Sequence, residues 1–121
     1  MRLAICGANP AETGLLCSAV RTYCADTGIP AELCPLNGLA GLWADFRPGA
    51  YQGVLLGVGD TAGFLAARQL RERDWACRLV VIDDTERFAI PCLRLHAADF
   101  LVRRLRPEQL RRAAARLTGR E

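Results

Sequence analysis

Residues 78–82, Arg-Leu-Val-Val-Ile, form the most strand-like run of the sequence, because four consecutive apolar residues include three β-branched ones. A continuous apolar strand, without polar alternation, is typical of a strand that is buried on both faces of a sheet. Shorter apolar runs on both sides of it predict further strands, at 3–6, 54–56 and 100–102, with a weaker one at 31–36. The sequence therefore predicts a parallel sheet that is covered by helices on both faces.

Segments with helical periodicity connect these strands. They predict helices at 10–26, 38–46, 60–73, 85–95 and from 107 onward. Five alternations of strand and helix are typical of a flavodoxin-like (βα)5 fold, an α/β doubly wound parallel sheet with the strand order 2-1-3-4-5. No internal repeat or linker interrupts the pattern, and we expect a single domain over residues 1–121.

Residues at the helix ends support these boundaries. Pro10 suits the first position of a helix, and Gly28 suits the residue that ends it. Asp60 or Thr61 is expected to cap the third helix. Pro91 lies inside the fourth predicted helix, and an interior proline costs about 3 kcal/mol. The fourth helix is therefore either very short or begins again at Pro91.

The composition is that of a globular domain. The chain has 121 residues, of which 51% are hydrophobic and 24% charged, and it shows neither a membrane-spanning apolar run nor a secretory signal. We therefore expect a cytoplasmic protein without membrane contact. The six cysteines form no CxxC pair and the single histidine is His96, which argues against zinc. We expect reduced thiols, buried as small apolar side chains, at positions 6, 17, 24, 34, 77 and 92.

Basic charge is concentrated toward the carboxyl end of the chain. The formal net charge is +3, all sixteen basic residues are arginine, and seven of them lie at or after position 103. Arg112, Arg116 and Arg120 are four residues apart and predict one stripe on the last helix, with Glu108 paired to Arg112. The stripe is either a solvated helix face or a docking surface for an acidic partner or a second subunit. A net charge of +3 is weak for tracking phosphates, so we expect no direct nucleic-acid binding by this domain alone.

In a doubly wound sheet, functional residues lie beyond the carboxyl ends of the strands. Here those segments are CGANP at 6–10, LGVGD at 56–60, IDDT at 82–85 and DFLVRR at 99–104. In this order and spacing they resemble the response-regulator receiver domain, the CheY-like fold. The resemblance is closest to receivers that precede LytTR-type DNA-binding domains, through RLAICGANPAE at 2–12 and AADFL at 97–101, and it covers nearly the whole chain.

The resemblance implies a phosphorylation site whose residues are replaced in this chain. Receivers hold magnesium with two acids after the first strand, phosphorylate an aspartate after the third, and contact the phosphoryl group with a Ser/Thr and a lysine. The corresponding positions here are Gly7, Ala8, Gly57, Asp83 and Arg103, with Arg104 in place of the proline that follows the lysine. Glycine and alanine offer no oxygen ligand for magnesium, and Gly57 has no carboxylate to accept phosphate. We therefore expect a degenerate phosphorylation pocket.

Three alternatives for this pocket follow from the sequence. Asp60, Asp83 and Asp84 could form a shifted metal site, although Asp60 and Asp84 also fit helix N-caps. Asp83 and Arg103 could form an ion pair that fixes one conformation, or both could point to solvent, where a pair contributes about 0–1 kcal/mol. The emptied pocket could instead bind an anion through backbone N–H groups, although no GxGxxG or GxxxxGK[ST] motif indicates a nucleotide.

The predicted function is that of a phosphorylation-independent pseudo-receiver, a non-enzymatic module without cofactor or metal in bacterial-type signal transduction or transcription control. We expect it to bind a protein partner or a second copy of itself through helix 4, strand 5 and helix 5. The candidate contacts are Arg104, Arg112, Arg116 and Arg120. The alternative is a small-molecule or anion sensor that uses the emptied pocket. His96, as a lone histidine, is not expected to be catalytic.

Overall fold

A five-stranded parallel sheet forms the centre of the structure, a computed structural model that describes residues 1–120. The strands are β1 (Arg2–Cys6), β2 (Glu32–Pro35), β3 (Gly53–Leu56), β4 (Arg78–Asp83) and β5 (Asp99–Val102). They lie in the order β2-β1-β3-β4-β5, and neighbouring strands pair in parallel. This is a flavodoxin-like α/β fold, and the predicted strand order is confirmed.

Five helices cover the two faces of this sheet. They are α1 (Pro10–Thr27), α2 (Gly38–Asp45), α3 (Asp60–Arg73), α4 (Ala89–Arg94) and α5 (Pro107–Leu117). The core on one face is built from α1, α5 and the strands, and the core on the other face from α2, α3, α4 and the strands. Val80 and Ile82 of β4 pack into the first core, and Leu79 and Val81 into the second, which explains the continuous apolar run. None of the helices in the described part of the chain combines the length and apolar content that a membrane crossing requires.

The cysteines are packing residues in this fold. All six carry free thiols, five of them are buried, and Cys34 is half-buried. Burial raises the pKa of Cys77 to about 12 and that of Cys92 to about 11, because a thiolate is poorly solvated in the core. These two thiols therefore stay protonated at neutral pH and behave as inert apolar side chains.

One helix begins later than predicted, and another has a different N-cap from the predicted one. The fourth helix spans six residues, Ala89–Arg94, so the very short alternative is correct. Pro91 is its third residue, within the first turn, where backbone N–H groups have no intrahelical partner in any case. The third helix begins at Asp60, but neither Asp60 nor Thr61 is its N-cap. The N-cap of this helix is Gly59, whose φ of 78° favours a glycine.

A buried arginine, which the sequence pattern does not indicate, ties two loops together. Arg71 in α3 is 3% exposed. Its guanidinium donates to the carbonyl oxygens of Leu95 at 2.7 Å and His96 at 3.3 Å, just past α4. It also donates to three carbonyl oxygens of the α3–β4 loop, those of Asp74, Trp75 and Cys77. Five backbone acceptors therefore depend on one side chain.

Replacing Arg71 with methionine should destabilise the fold by about 2–4 kcal/mol, because buried carbonyl oxygens lose their donor. Arg71→Lys should lose nearly as much, since an ammonium lacks the planar fork that reaches both loops. Urea unfolding followed by circular dichroism measures both variants, with the exposed Arg47→Met as the matched control. A loss below about 0.5 kcal/mol in Arg71→Met would show that these hydrogen bonds do not hold the loops.

Candidate functional site

The guanidinium of Arg103 lies at the centre of the carboxyl edge of the sheet. Arg103 follows β5, and its side chain forms a bidentate ion pair with Glu12, in the first turn of α1. Its Nε lies 2.8 Å from Oε2 of Glu12, and its Nη2 lies 2.6 Å from Oε1. Both side chains are 18% exposed, so water screens this pair less than a surface salt bridge. The pair joins the first and the last segments of this edge.

Arg103 also contacts the two segments between them. Its Nη2 donates to the carbonyl oxygen of Gly57, directly after β3, at 2.5 Å. Its Nη1 donates to Oδ1 of Asp84, after β4, at 3.2 Å, and the side chain of this aspartate is 79% exposed. A planar fork of N–H donors suits several acceptors at once. One guanidinium therefore bridges the segments that follow β1, β3 and β4.

Local structure holds Glu12 in position for this pair. Asn9 is the N-cap of α1, and its side chain accepts the N–H of Glu12 at 2.8 Å. Oε1 of Glu12 in turn accepts the N–H of Ala8 at 2.8 Å. The hydrogen bond from Arg103 lowers the pKa of Glu12 although burial opposes the shift, and Glu12 raises the pKa of Arg103. Both shifts favour the ionised pair.

The glycines at this edge are closely surrounded. A Cβ at Gly7 would lie 2.7 Å from the backbone nitrogen of Thr13, whose hydroxyl accepts the Gly7 N–H at 2.9 Å. A Cβ at Gly57 would lie 3.1 Å from Oε1 of Glu12 and 3.3 Å from Nη2 of Arg103. The space beside Gly57, expected from the sequence to be empty, is therefore occupied by the ion pair.

Asp83 neither forms an ion pair with Arg103 nor points to solvent, which were the two alternatives that the sequence left open. It is 4% exposed, and its Oδ1 accepts the N–H of Asp84 at 2.7 Å and that of Asp60 at 3.0 Å. Asp60 opens α3 with a φ of 57°, so Asp83 caps this helix from the end of the neighbouring strand. The prediction that Asp60 and Asp84 are N-caps is therefore wrong: Asp83 supplies the cap of α3, and Asp84 pairs with Arg103.

The three aspartates do not converge on a shifted metal site. Asp60 faces Arg87, with 4.0 Å between Oδ1 and Nη1, whereas Asp84 faces Arg103. Asp83 accepts backbone N–H groups. Within residues 1–120, no group of three or more His, Cys, Asp or Glu side chains is arranged to hold a metal ion. Magnesium needs several oxygen ligands, and a guanidinium at this edge adds repulsion.

The arginines of α5 contact a buried carboxylate. Asp99, the first residue of β5, has a side chain that is 6% exposed. Nε of Arg112 lies 2.9 Å from its Oδ2, and Nη1 of Arg116 lies 3.0 Å from its Oδ1. The predicted pair between Glu108 and Arg112 is therefore wrong, because Arg112 turns inward to Asp99.

The other two candidate contact residues lie outside the arginine stripe. α5 ends at Leu117, and Gly119, with a φ of 81°, turns the chain away. Arg120 lies beyond that end and donates to the carbonyl oxygen of Thr27 at 3.2 Å. The prediction that Arg120 continues the stripe is therefore wrong. Arg104 is exposed in the loop between β5 and α5, and its peptide bond with Arg103 is cis.

Glu12 and Asp99 are the two site residues that the sequence-based predictions missed. The spacing of Asn9 and Glu12 before an apolar helix indicates a local cap, and it gives no sign of a partner 91 residues away. Asp99 begins a strand that is otherwise apolar. A carboxylate in such a position needs a cationic partner. The arginines of the following helix are therefore the sequence feature from which a role for Asp99 could have been predicted.

Gly7→Ala should destabilise the protein by about 1–3 kcal/mol, because the new methyl group meets the backbone of α1. Gly14→Ala, within α1, is the matched control, since nothing lies within 4 Å of its Cβ position. That change should stabilise the helix by about 0.5–1 kcal/mol. Urea unfolding measures both, and equal effects of the two variants would contradict the close packing around Gly7.

Glu12→Gln should reduce stability at neutral pH and have a smaller effect at acidic pH. Because the pKa of Glu12 in the folded protein lies below its ordinary value of 4.5, the ionised form stabilises the fold above that pH. This contribution is lost as the pH falls from about 5 through the lowered pKa of the folded state. In urea unfolding, the difference between wild type and Glu12→Gln should therefore shrink from about pH 7 to about pH 3.

Glu72→Gln, on the exposed side of α3, is the control for loss of a carboxylate that forms no ion pair within residues 1–120. A wild-type to Glu12→Gln difference that stays constant over the pH range would exclude an ionised Glu12 as the partner of Arg103.

The structure is similar to solved receiver domains. The REC domain of the response regulator AraT from Geobacillus stearothermophilus is 17% identical, with a TM-score of 0.69, over 98% of this chain and 93% of that chain. The response regulatory domain of mrkE from Klebsiella pneumoniae is 16% identical, with a TM-score of 0.71, over 99% and 97%. A response regulator receiver protein from Pseudoalteromonas atlantica is 11% identical, with a TM-score of 0.76, over 100% of both chains.

No protein-family model and no curated protein sequence matches the chain at a significant level. At identities between 11% and 17%, the structural similarity concerns the fold alone. On this evidence, and on its strand order, the chain has the fold of response-regulator receiver domains.

Proposed function

We propose that this chain is a phosphorylation-independent pseudo-receiver, a non-enzymatic interaction module of bacterial-type cytoplasmic signal transduction or transcription control. The observation that carries the proposal is the Glu12–Arg103 ion pair beside Gly57. It occupies the place at which the resemblance to LytTR-type receivers puts the phosphoryl group. The phosphorylation site is degenerate because its acceptor, its metal ligands and its lysine are all replaced.

The replaced residues remove each step of the receiver reaction. Gly57 has no carboxylate, so no acyl phosphate can form on it. Gly7 and Ala8 provide no side-chain oxygen for magnesium, and the guanidinium of Arg103 repels a divalent cation. Glu12 is an acid near Gly57, but its oxygens already accept hydrogen bonds from Arg103 and from the N–H of Ala8.

The Glu12–Arg103 pair also places permanent charges where a receiver carries a phosphoryl group that can be removed. A ligand shifts a two-state protein only by binding one state more tightly than the other. Here the interactions are made by the chain's own residues, since Arg103 binds Glu12, Gly57 and Asp84 without an added phosphoryl group. We therefore expect the module to present one conformation of its α4–β5–α5 surface to a protein partner at all times.

The alternative function, a small-molecule or anion sensor, has less support. It needs free space beside Gly57, and the ion pair fills that space. A neighbouring cleft of about 410 Å³ lies between residues 7–10 and 36–39. The described residues that line this cleft include no charged side chain that would select an anion.

Treatment with acetyl phosphate and magnesium tests the proposed function. We expect the intact mass of the chain to stay unmodified and its Tm to stay constant, because no acceptor carboxylate lies at position 57. A receiver domain with an intact phosphoacceptor aspartate, treated in parallel, is the positive control for the phosphate donor. A covalent phosphate on an aspartate of this chain would refute phosphorylation independence.

A further inference from the structure

The surface between α4 and α5 is strongly basic. α4 and α5 both contact β5, the edge strand of the sheet. We define the α4–α5 surface along this edge by six residues on α4, on the β5–α5 loop and on α5: Ile90, Leu93, Arg94, Arg104, Arg112 and Arg116. Residues 89–117, which contain it, include seven arginines but only two acids, Asp99 and Glu108. The surface therefore carries a positive potential that attracts acidic molecules.

Two of the seven arginines are engaged outside this surface. Arg103 pairs with Glu12, and Arg111 pairs with Asp26 of α1, with 3.0 Å between Nη1 and Oδ2. Arg94 and Arg104 are exposed and form no ion pair within residues 1–120. These two arginines are therefore available to carboxylates of another molecule.

One of the two acids of this segment, Asp99, is buried and paired within the chain. The side chain of Asp99 is 6% exposed, and it already accepts hydrogen bonds from Arg112 and from the N–H of Phe100. It also pairs with Arg116. Asp99 thus anchors α5 to β5 but cannot reach an arginine of another chain, which leaves Glu108 as the exposed acid of this segment.

A second copy of the chain fits this surface poorly. In a two-fold symmetric dimer each surface meets its own copy, so a basic surface faces a basic surface. Like charges brought together cost several kcal/mol, and one exposed Glu108 does not offset Arg94 and Arg104. The charge distribution therefore favours a different, acidic partner.

Apolar residues on the same surface favour a polypeptide over a nucleic acid. Ile90, Leu93 and Arg94 are three and four residues apart, so they share one face of α4. Ile90 is 64% exposed and Leu93 is 54% exposed. A phosphate backbone would pair with the arginines but leave these two side chains in water, whereas an amphipathic peptide covers both kinds of group.

We propose that the α4–α5 surface binds an acidic amphipathic segment of a partner protein. Its apolar side chains would cover Ile90 and Leu93, and its carboxylates would pair with Arg94 and Arg104. The inference rests on the proposed function, since it takes the α4–β5–α5 surface as the interaction surface and adds the chemistry of the partner.

The test uses the full chain and a synthetic helical peptide that has glutamates on one face and leucines on the other. The same peptide with glutamine in place of glutamate is the control probe. Fluorescence anisotropy should show the glutamate peptide bound at least about tenfold more tightly than the glutamine peptide, with an affinity that falls as salt is added.

Variants assign the binding to this surface. The double variant Arg94→Glu/Arg104→Glu should weaken binding of the glutamate peptide at least about tenfold. Leu93→Ser should weaken binding of both peptides. Arg47→Glu, an exposed arginine in the α2–β3 loop, makes the same charge change elsewhere and should have little effect. Circular dichroism confirms that each variant is folded, which we expect because all four side chains are exposed.

Three results would overturn the proposal. They are equal or absent binding of the two peptides, tighter binding of a DNA duplex than of the glutamate peptide, and a dimer in analytical ultracentrifugation that Leu93→Ser dissociates. Phosphate uptake from acetyl phosphate with unchanged peptide binding would refute phosphorylation independence and leave the partner chemistry standing.

Discussion

The ion pair between Glu12 and Arg103 is the constraint on which the carboxyl edge of this protein depends. It joins the first turn of α1 to the chain after β5, and the same guanidinium reaches the segments that follow β3 and β4. A partly buried charge is costly without its partner, so these residues must be kept together. Gly57 belongs to the same arrangement, because any side chain there would press on the pair. This edge of the sheet is thus closed by the chain's own charges.

Other arginines also join separate segments of the fold. Arg71 joins two loops through five backbone carbonyls, Arg103 joins three segments of the carboxyl edge, and Arg112 attaches α5 to Asp99. The chain has no lysine, and an ammonium on a flexible stem could not serve several acceptors in fixed directions. Arginine at position 103 therefore contributes more than a positive charge: its fork lets it bind Glu12 with two N–H groups and still reach Gly57 and Asp84.

The range of each interaction explains what the sequence could predict. The run at 78–82 predicts a central strand because consecutive apolar residues indicate burial on both faces of the sheet. Chain-connection rules then give the strand order. Local spacing also predicts Pro10 and Gly28 at the ends of α1. Local spacing does not show that Arg103 pairs with Glu12 and not with Asp83. That pairing depends on the hydrogen bond by which Asn9 positions Glu12, and on the two backbone N–H groups that already bind the Asp83 carboxylate. The prediction that Arg120 continues the arginine stripe is wrong for a local reason, because the helix ends before Gly119.

A double-mutant cycle between Glu12 and Arg103 tests the role of this pair most directly. The free energy of unfolding is measured for the wild type, Glu12→Gln, Arg103→Met and the double variant, which separates the coupling of the two side chains from their individual effects. We predict a coupling of at least about 1.5 kcal/mol, because the pair is bidentate and largely shielded from water. A coupling below about 0.5 kcal/mol would be that of an ordinary surface salt bridge, and it would contradict the claim that this pair holds the carboxyl edge closed.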